Sequence, residues 1–173
     1  MKIASKFTLF IFTSIIVSCG GSDYSTFADS ENGFQIDYPA QWDTTNLDPR
    51  MVFMAREQFL DSTDMFGEGF SISVFDNQGI SLQSIVDENV KMTKLYFNSS
   101  EIAQEKFTTD NGIDCIQIEV NYETSGLILS NTAVFVNHES LLYTITLSAE
   151  KSKKEEYKNT FDAIINSFNW MSE

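Results

Sequence analysis

Few side chains in this sequence could carry out chemistry, and the first to weigh is the sole histidine, His138. It lies in the turn-like segment Asn137-His138-Glu139, where we expect a solvated side chain. Ser-His-Asp catalysis needs a nucleophile, a base and an orienting group within mutual reach. With one histidine and no nucleophile-elbow motif, the sequence provides no such set. We therefore predict that the chain is not an enzyme.

Three acidic residues, Asp61, Asp64 and Glu68, cluster between two predicted strands. Hard cations such as Ca²⁺ or Mn²⁺ need several oxygens that converge, so these carboxylates are a candidate divalent-cation site. Their spacing does not match an EF-hand loop, which favours the alternative of a solvated acidic loop. One histidine and one spare thiol cannot supply the usual zinc ligands. No glycine-rich phosphate loop or Cys-x-x-Cys motif is present, and we predict no cofactor.

The two cysteines, Cys19 and Cys115, have different surroundings. Cys115 lies in the alternating apolar run Ile113–Tyr122, which is typical of a β-strand. A free cysteine in such a run behaves as a small hydrophobic residue, so we predict a buried and unreactive thiol.

The residues before Cys19 have the pattern of a signal peptide. Lys2 and Lys6 form a charged start, and Phe7–Val17 is an apolar stretch. As a helix of 1.5 Å per residue, the segment from Phe7 to Cys19 would span about 20 Å, whereas the hydrocarbon core of a bilayer is about 30 Å thick. We therefore expect a cleaved leader rather than a transmembrane helix.

The run Ile16-Val17-Ser18-Cys19 resembles the lipobox of bacterial lipoproteins. The resemblance implies cleavage after Ser18 and a diacylglycerol thioether on Cys19, with the acyl chains embedded in a bilayer. Two or three chains make such an anchor effectively permanent. Gly20, rather than Asp, follows the cysteine, which favours the outer membrane in a cell that has one. A plain secretory signal with an incidental cysteine is the alternative.

The predicted mature chain is strongly acidic. The sequence has 11 basic and 25 acidic residues, and loss of Lys2 and Lys6 leaves 11 − 2 = 9 basic residues and a net charge of 9 − 25 = −16. Binding to nucleic acid needs clustered basic residues, so we exclude it as a partner. The first interpretation of this net negative charge is that it keeps the protein soluble.

The chain divides into three parts by composition: a signal peptide at residues 1–18, the lipidated cysteine and a flexible tether at 19–31, and one domain at 32–173. The tether is rich in Gly, Ser, Asp and Thr, and a flexible coil of that length has ends roughly 20 Å apart.

Within the domain, the pattern of apolar residues predicts strands, then a helix, then an antiparallel meander and a closing helix. The strands are expected at 34–38, 50–56, 68–76, 102–109, 112–123, 127–137 and 140–149. Residues 81–97 have helical spacing, with Ser81 as N-cap and an apolar stripe that extends to Tyr96. Ser152 and Glu155 match a capping box for the last helix, whose apolar stripe should be core.

The segment Gly33-Phe-Gln-Ile-Asp-Tyr-Pro-Ala-Gln-Trp42 resembles the opening signature of the PsbP/Mog1/DcrB-like domain. The closing helix fits as well, since its end resembles the family pattern Phe-x-x-Ile-x-x-Ser-Phe over Phe161–Phe168. The resemblance implies an α+β fold, with an antiparallel six- to seven-stranded sheet and helices packed on its faces as an α/β/α sandwich. It also implies a structural role for Trp42 as an aromatic plug.

From these features we expect a cell-envelope lipoprotein whose non-catalytic PsbP-like domain binds or assists a protein partner. The bilayer itself is the other expected partner, through the acyl chains on Cys19. A small-ligand or divalent-cation binding module is the alternative function.

Overall fold

The computed structural model describes residues 23–45, 48, 50–59, 64–97 and 102–171. These residues form ten strands and two helices. In chain order the elements are β1 (Tyr24–Asp29), β2 (Phe34–Pro39), β3 (Asp43–Thr44), β4 (Phe53–Arg56), β5 (Gly69–Asp76), α1 (Leu82–Tyr96), β6 (Ile102–Thr108), β7 (Asp114–Thr124), β8 (Leu127–His138), β9 (Leu141–Glu150), α2 (Lys154–Ser167) and β10 (Asn169–Trp170).

The larger sheet has seven antiparallel strands in the order β3-β4-β5-β9-β8-β7-β6. Strands β6 to β9 form the predicted meander, because each pairs with the next one along the chain. Between β7 and β8, Ser125 and Gly126 have φ values of 51° and 82°. Two successive left-handed residues are typical of a tight hairpin turn. The predicted antiparallel sheet is therefore confirmed.

The sequence does not predict the second sheet, which has three strands in the order β1-β2-β10. In it, β1 pairs antiparallel with β2 along its whole length. The prediction of a flexible tether over 19–31 is therefore wrong for Tyr24–Asp29, and the domain begins earlier than residue 32. The physical reason is Phe27, whose ring stacks on that of Phe53 with centroids 4.1 Å apart and ties this polar segment to the core.

The two helices lie on opposite faces of the larger sheet, as predicted. Alternate residues of a strand point to opposite faces. In β7, Ile116 packs in one cluster with Val86 of α1, whereas Cys115 packs in another with Ile164 of α2. The small sheet shares the α2 face. Within the described residues, neither helix is long and apolar enough to cross a bilayer.

The starts of the helices agree with the sequence in one case and not in the other. The Oγ of Ser81 accepts a hydrogen bond of 3.2 Å from the backbone N–H of Ser84 and caps α1 as predicted. The capping box of Ser152 and Glu155 is wrong. The N-cap of α2 is Lys153, and no side chain caps this end. A turn after β9 displaces the helix start by one residue, and the Lys153 side chain is engaged elsewhere.

Trp42 is only 5% exposed and plugs the gap between the small sheet, α2 and the larger sheet. Its ring centroid lies 6.4–6.5 Å from those of Phe70, Tyr157 and Phe161. The burial of Trp42, and of the stripe on α2 that includes Ile164, Ile165 and Phe168, agrees with the sequence.

Hydrogen bonds connect the end of α2 to β2, and the turn between β1 and β2 to β9. The Oγ of Ser167 accepts from the backbone N–H of Asp37 at 2.8 Å and donates to the carbonyl of Ile164 at 2.6 Å. The hydroxyl of Tyr143 donates to the carbonyl of Asn32 at 2.7 Å. The two bonds of Ser167 give a structural reason for the serine in the closing pattern Phe-x-x-Ile-x-x-Ser-Phe.

The two ends of the larger sheet are named here after the terminal residues of β9, Leu141 and Glu150. Helix α1 finishes at the Glu150 end, where the ring of Phe97 lies 4.4 Å from that of Tyr122. Tyr122 belongs to the same row of paired residues as Glu150. Helix α2 begins at the Glu150 end, because it follows β9 directly.

Ile164 tests the packing of α2, because it is fully buried in the core. Truncation of such a residue leaves a cavity, so we expect Ile164→Ala to lower the free energy of unfolding by about 2–5 kcal/mol in urea titrations. Ile80→Ala is the matched control at a side chain that is 48% exposed, and its effect should stay within about 0.5 kcal/mol. Equal effects of the two substitutions would contradict the assignment of Ile164 to the core.

Candidate functional site

A groove with a volume of about 500 Å³ lies beside α2, on the face of the larger sheet that α2 covers. It exists because α2 packs over β2 and β9, which leaves the same face of β6, β7 and β8 open. We call it the α2 groove. Alternate residues of the strands form its floor, and the side of α2 that is turned away from β2 forms its wall.

Charged side chains form the rim of the α2 groove. The lining contains five carboxylates and two lysines. The Lys154 Nζ lies 2.6 Å from a carboxylate oxygen of Glu119, and Lys158 pairs with Asp162. The remaining carboxylates are Glu105, Asp110 and Glu155. The excess of negative charge disfavours an anionic ligand and favours a cationic or hydrogen-bonding one.

The floor of the α2 groove holds a buried hydroxyl. Ser130 is 4% exposed, and within the described residues its Oγ has no hydrogen-bond partner. Asn121 is paired with Ser130 across the strands, and its Oδ1 is also buried without a hydrogen-bond partner within the described residues. A buried polar atom without a partner costs about 1–3 kcal/mol. A ligand group that bonds to Ser130 would recover part of that cost, and nearby Leu147 and Phe161 offer apolar contact.

Neither histidine nor cysteine is among the described residues that line the α2 groove. His138 is the exposed last residue of β8 at the Leu141 end, and its ring stacks on Trp170 with centroids 4.1 Å apart. Cys115 is 3% exposed, as predicted. Burial, together with the charge of Asp114, raises the pKa of its thiol to about 12. At neutral pH that thiol is protonated and unreactive.

The acidic residues predicted as a cation site meet a lysine instead. Glu68 is fully buried, and its Oε2 lies 3.2 Å from the Nζ of Lys153. The same ammonium group lies 3.7 Å from Asp64 and 4.0 Å from Glu150. The other oxygen of Glu68 accepts a hydrogen bond of 3.3 Å from the backbone N–H of Glu150. We call Asp64, Glu68, Glu150 and Lys153 the Lys153 cluster.

The charges within the Lys153 cluster compensate one another. Burial by itself lowers the pKa of Lys153, but the hydrogen bond and charge of Glu68, with the charges of Asp64 and Glu150, outweigh that effect and raise it. Lys153 therefore stays protonated and supplies the positive charge that a bound cation would supply.

The structure changes the interpretation of the acidic segment. A solvated loop is the wrong description of Glu68, which is buried. No group of three or more acidic, histidine or cysteine side chains within the described residues is arranged to hold a metal ion. Asp61 lies outside those residues, as do Ser18 and Cys19, so the cation site and the lipidation site stay predictions.

Sequence reasoning missed the α2 groove and the role of Lys153. Ser130 and Thr132 alternate with the same period as the buried Val134 and Val136 of β8, so the pattern could have placed two hydroxyls on the inner face. No sequence signal connects Glu68 with Lys153, because that contact joins segments 85 residues apart.

The comparisons with known proteins agree with this architecture. The family model named PsbP matches residues 22–170. The solution structure of the cyanobacterial PsbP protein CyanoP, from Synechocystis sp. PCC 6803, has a TM-score of 0.67 at 18% identity and covers 88% of this chain and 95% of its own. No curated protein matches the sequence.

Two further structures share the fold at lower identity. LpqN, described as involved in cell envelope biogenesis of Mycobacterium tuberculosis, has a TM-score of 0.54 at 10% identity, and the match covers 86% of this chain and 91% of LpqN. PA94 of Pseudomonas aeruginosa, a protein of unknown function, has a TM-score of 0.58 at 12% identity over 87% of this chain and 99% of its own. At such identities the likeness concerns the fold alone.

Lys153→Met tests the Lys153 cluster, because it leaves the carboxylate of Glu68 buried without its partner. Breaking a fully buried pair costs about 3–5 kcal/mol, and the partial exposure of Lys153 reduces the expected loss of unfolding free energy to about 2 kcal/mol at pH 7. Lys151→Met, in the same turn but exposed, is the matched control and should change little. Adding Glu68→Gln to Lys153→Met should recover part of the loss.

The effect of Lys153→Met should also depend on pH, with a sign that follows from the raised pKa of Lys153. The stabilisation is present below the ordinary pKa of lysine and is lost as the pH rises through the raised value. Denaturation curves should therefore show a constant difference from the parent protein around neutrality and a smaller one at strongly alkaline pH. A difference that grows with alkaline pH would contradict the ion pair.

Proposed function

This chain belongs to the PsbP family, and from that premise we propose that it is a lipid-anchored protein of the bacterial cell envelope. Its single domain binds a partner protein and catalyses no reaction. The observation that carries the anchor is the motif Ile16–Cys19, which lies only a few residues before the start of β1 at Tyr24. A thiol at that position is the atom that accepts the lipid.

The absence of catalysis is supported by the side chains available in the described residues. The α2 groove has neither histidine nor cysteine, and the thiol of Cys115 is buried and protonated. General acid–base catalysis needs a group whose pKa lies near the working pH and within reach of a substrate. His138 stacks on Trp170 and does not line the groove.

The α2 groove is the surface that we assign to the partner. It is open along β6, the edge strand of the larger sheet, so an extended segment can enter from the side. Its net negative charge, together with a few apolar side chains such as Leu147 and Phe161, suits a polypeptide with a basic or amide-rich side chain. Gln117 and Glu119 on β7 and Lys154 on α2 offer polar contacts.

A small ligand in the same groove is the second candidate function. The observation that favours it is the buried Oγ of Ser130, which lacks a partner within the described residues and lies at the floor of a groove large enough for a small molecule. A divalent cation has less support, because Lys153 already compensates the carboxylates of Asp64 and Glu68.

Cys19→Ser tests the anchor in cells that express the full chain. The parent protein should sediment with membranes and have the mass of residues 19–173 plus acyl chains, because the thiol carries the lipid. Cys19→Ser should lose the acyl mass, and Cys115→Ser is the matched control that should keep it. An unchanged mass and membrane fraction for Cys19→Ser would contradict the proposed anchor.

A photo-crosslinking residue at Thr132 tests the α2 groove in the same cells. Thr144, also half-buried but on the α1 face of the sheet, is the matched control position. A protein partner should give one discrete product from Thr132 and none from Thr144. A small ligand should give no protein product but a compound that copurifies and raises the melting temperature. Identical products from both positions, or neither a product nor a compound, would contradict a binding role for the groove.

A further inference from the structure

The most exposed large hydrophobic side chains of the described residues lie at one end of the domain. Four of those in the described residues are more than half exposed: Met65 at 65%, Leu95 at 68%, Tyr96 at 76% and Ile128 at 52%. All four lie at the Glu150 end of the sheet. Soluble domains rarely expose several large apolar residues at one place unless they form an interaction site.

Backbone contacts place each of the four residues at that end. The carbonyl of Ile128 accepts a hydrogen bond of 2.8 Å from the N–H of Lys151, the residue after Glu150. Leu95 and Tyr96 are the last residues of α1, which finishes there. Met65 belongs to the connection from β4 to β5. This connection runs from Arg56 to Gly69, and both residues lie in the row of paired residues that contains Ser148, two residues before Glu150.

The exposure of Tyr96 is unexpected for a core helix. The apolar stripe of α1 contacts the sheet through the fully buried Val86. The ring of Phe97 still contacts Tyr122 of β7, but Tyr96, which ends the apolar stripe predicted for this helix, is 76% exposed. The final turn of α1 therefore has apolar surface that no described part of the domain covers.

The chain enters the domain at the same end. The carbonyl of Asp23 accepts a hydrogen bond of 3.0 Å from the N–H of Ala40, just after β2. The chain then reaches β3, where Asp43 pairs with Arg56 in the row that contains Ser148 of β9. Asp23 therefore lies at the Glu150 end, on the side of the small sheet.

The length of chain before Asp23 limits how far that end can be from an anchor at Cys19. Four peptide units join the two residues, and a fully extended chain spans at most about 3.6 Å per residue, or roughly 14 Å. This distance is about half the thickness of a bilayer core. With lipid on Cys19, the Glu150 end is held beside the headgroups.

The charges of the two ends favour the same orientation. In the described residues, the turns and strand ends at the Leu141 end have a single basic side chain, Arg50, which is paired with Asp48. The carboxylates there are Asp29, Glu31, Asp48, Asp76, Asp110, Asp114 and Glu139. The Glu150 end is also net negative but less so, because its carboxylates are mixed with five basic residues, Arg56, Lys94, Lys151, Lys153 and Lys154. Its carboxylates are Asp23, Asp43, Glu57, Asp64, Glu68, Glu123, Glu150, Glu155 and Glu156. An anionic leaflet repels the Leu141 end more strongly.

We propose that the Glu150 end is a membrane-binding surface: Met65, Leu95, Tyr96 and Ile128 insert among the headgroups and fix the orientation of the domain on the bilayer. This inference rests on the proposed lipid anchor at Cys19 and adds a second contact to it. Apolar side chains in the interface strengthen an anchor because interfacial binding increases with the apolar area that is buried. A lipid surface fits better than a protein partner, because the chain leads toward the proposed anchor from the same end of the domain.

The test uses the full lipidated chain in phosphatidylcholine vesicles with brominated acyl chains. A dye is attached through Tyr96→Cys or Ile128→Cys, with Glu139→Cys at the Leu141 end as the matched control. Cys19 is blocked by lipid and Cys115 is buried with a raised pKa, so only the introduced thiol is labelled. Interfacial apolar faces lie about 5–10 Å into the headgroup region, so bromine should quench the dyes at 96 and 128 by about half and leave that at 139 unchanged.

Each outcome decides between the possibilities. No quenching at 96 or 128, in protein that sediments with the vesicles, overturns the membrane-binding surface and leaves the anchor intact. Protein that does not sediment overturns the anchor, and the inference falls with it. A change in the emission of the dye at 96 in native membranes, without quenching in vesicles, assigns the four exposed apolar residues to a protein partner and also overturns the inference. Leu95→Asp should abolish the quenching at 128 while the chain stays sedimented.

Discussion

The pairing of β1 with β2 decides where the chain leaves the domain, and the functional interpretation depends on that point. Without this pairing, residues 19–31 would be a coil with ends roughly 20 Å apart, and the domain could turn freely above its anchor. The stacking of Phe27 on Phe53 and the 2.6 Å hydrogen bond from Thr26 to Asp37 hold the strand in the small sheet. Only four peptide units then separate the proposed anchor at Cys19 from Asp23, so under this proposal the same end of the sheet faces the bilayer.

Helix α2 connects the stability of the domain to the surfaces that we propose as functional. Its inner side contributes Ile164 and Phe168 to the core, and its outer side forms the wall of the α2 groove. Just before its first turn, Lys153 compensates the buried carboxylate of Glu68. Lys153 therefore supplies the positive charge beside Glu68 that a bound cation would otherwise supply. The α2 groove beside this helix offers surface for contact, which is consistent with the proposed binding role.

Much of the fold could be predicted from the sequence, because its elements follow local patterns. The alternating strands β6 to β9 and the stripe on α2 repeat within a few residues, and the Tyr-Pro-Trp signature at Tyr38–Trp42 marks the aromatic plug. The small sheet could not be predicted, since β1 is a polar segment with a single large apolar anchor, Phe27. The Lys153 cluster and the α2 groove depend on contacts between distant segments, so no local period predicts them. The apolar stripe of α1 extends in the sequence to Tyr96, which is 76% exposed, because helical spacing shows which residues share a face and not which of them contact the sheet.

The most direct measurement is neutron reflectometry of the full lipidated chain on a supported phosphatidylcholine bilayer. With β1 in the small sheet, protein density should begin within about 14 Å of the headgroups, the reach of four extended residues. Overlap of that density with the headgroup layer is expected, because Leu95 and Tyr96 are exposed at the facing end. A continuous water layer of about 20 Å or more would fit a flexible tether over 19–31 instead. It would show that β1 leaves the sheet at the membrane and would contradict the fixed orientation.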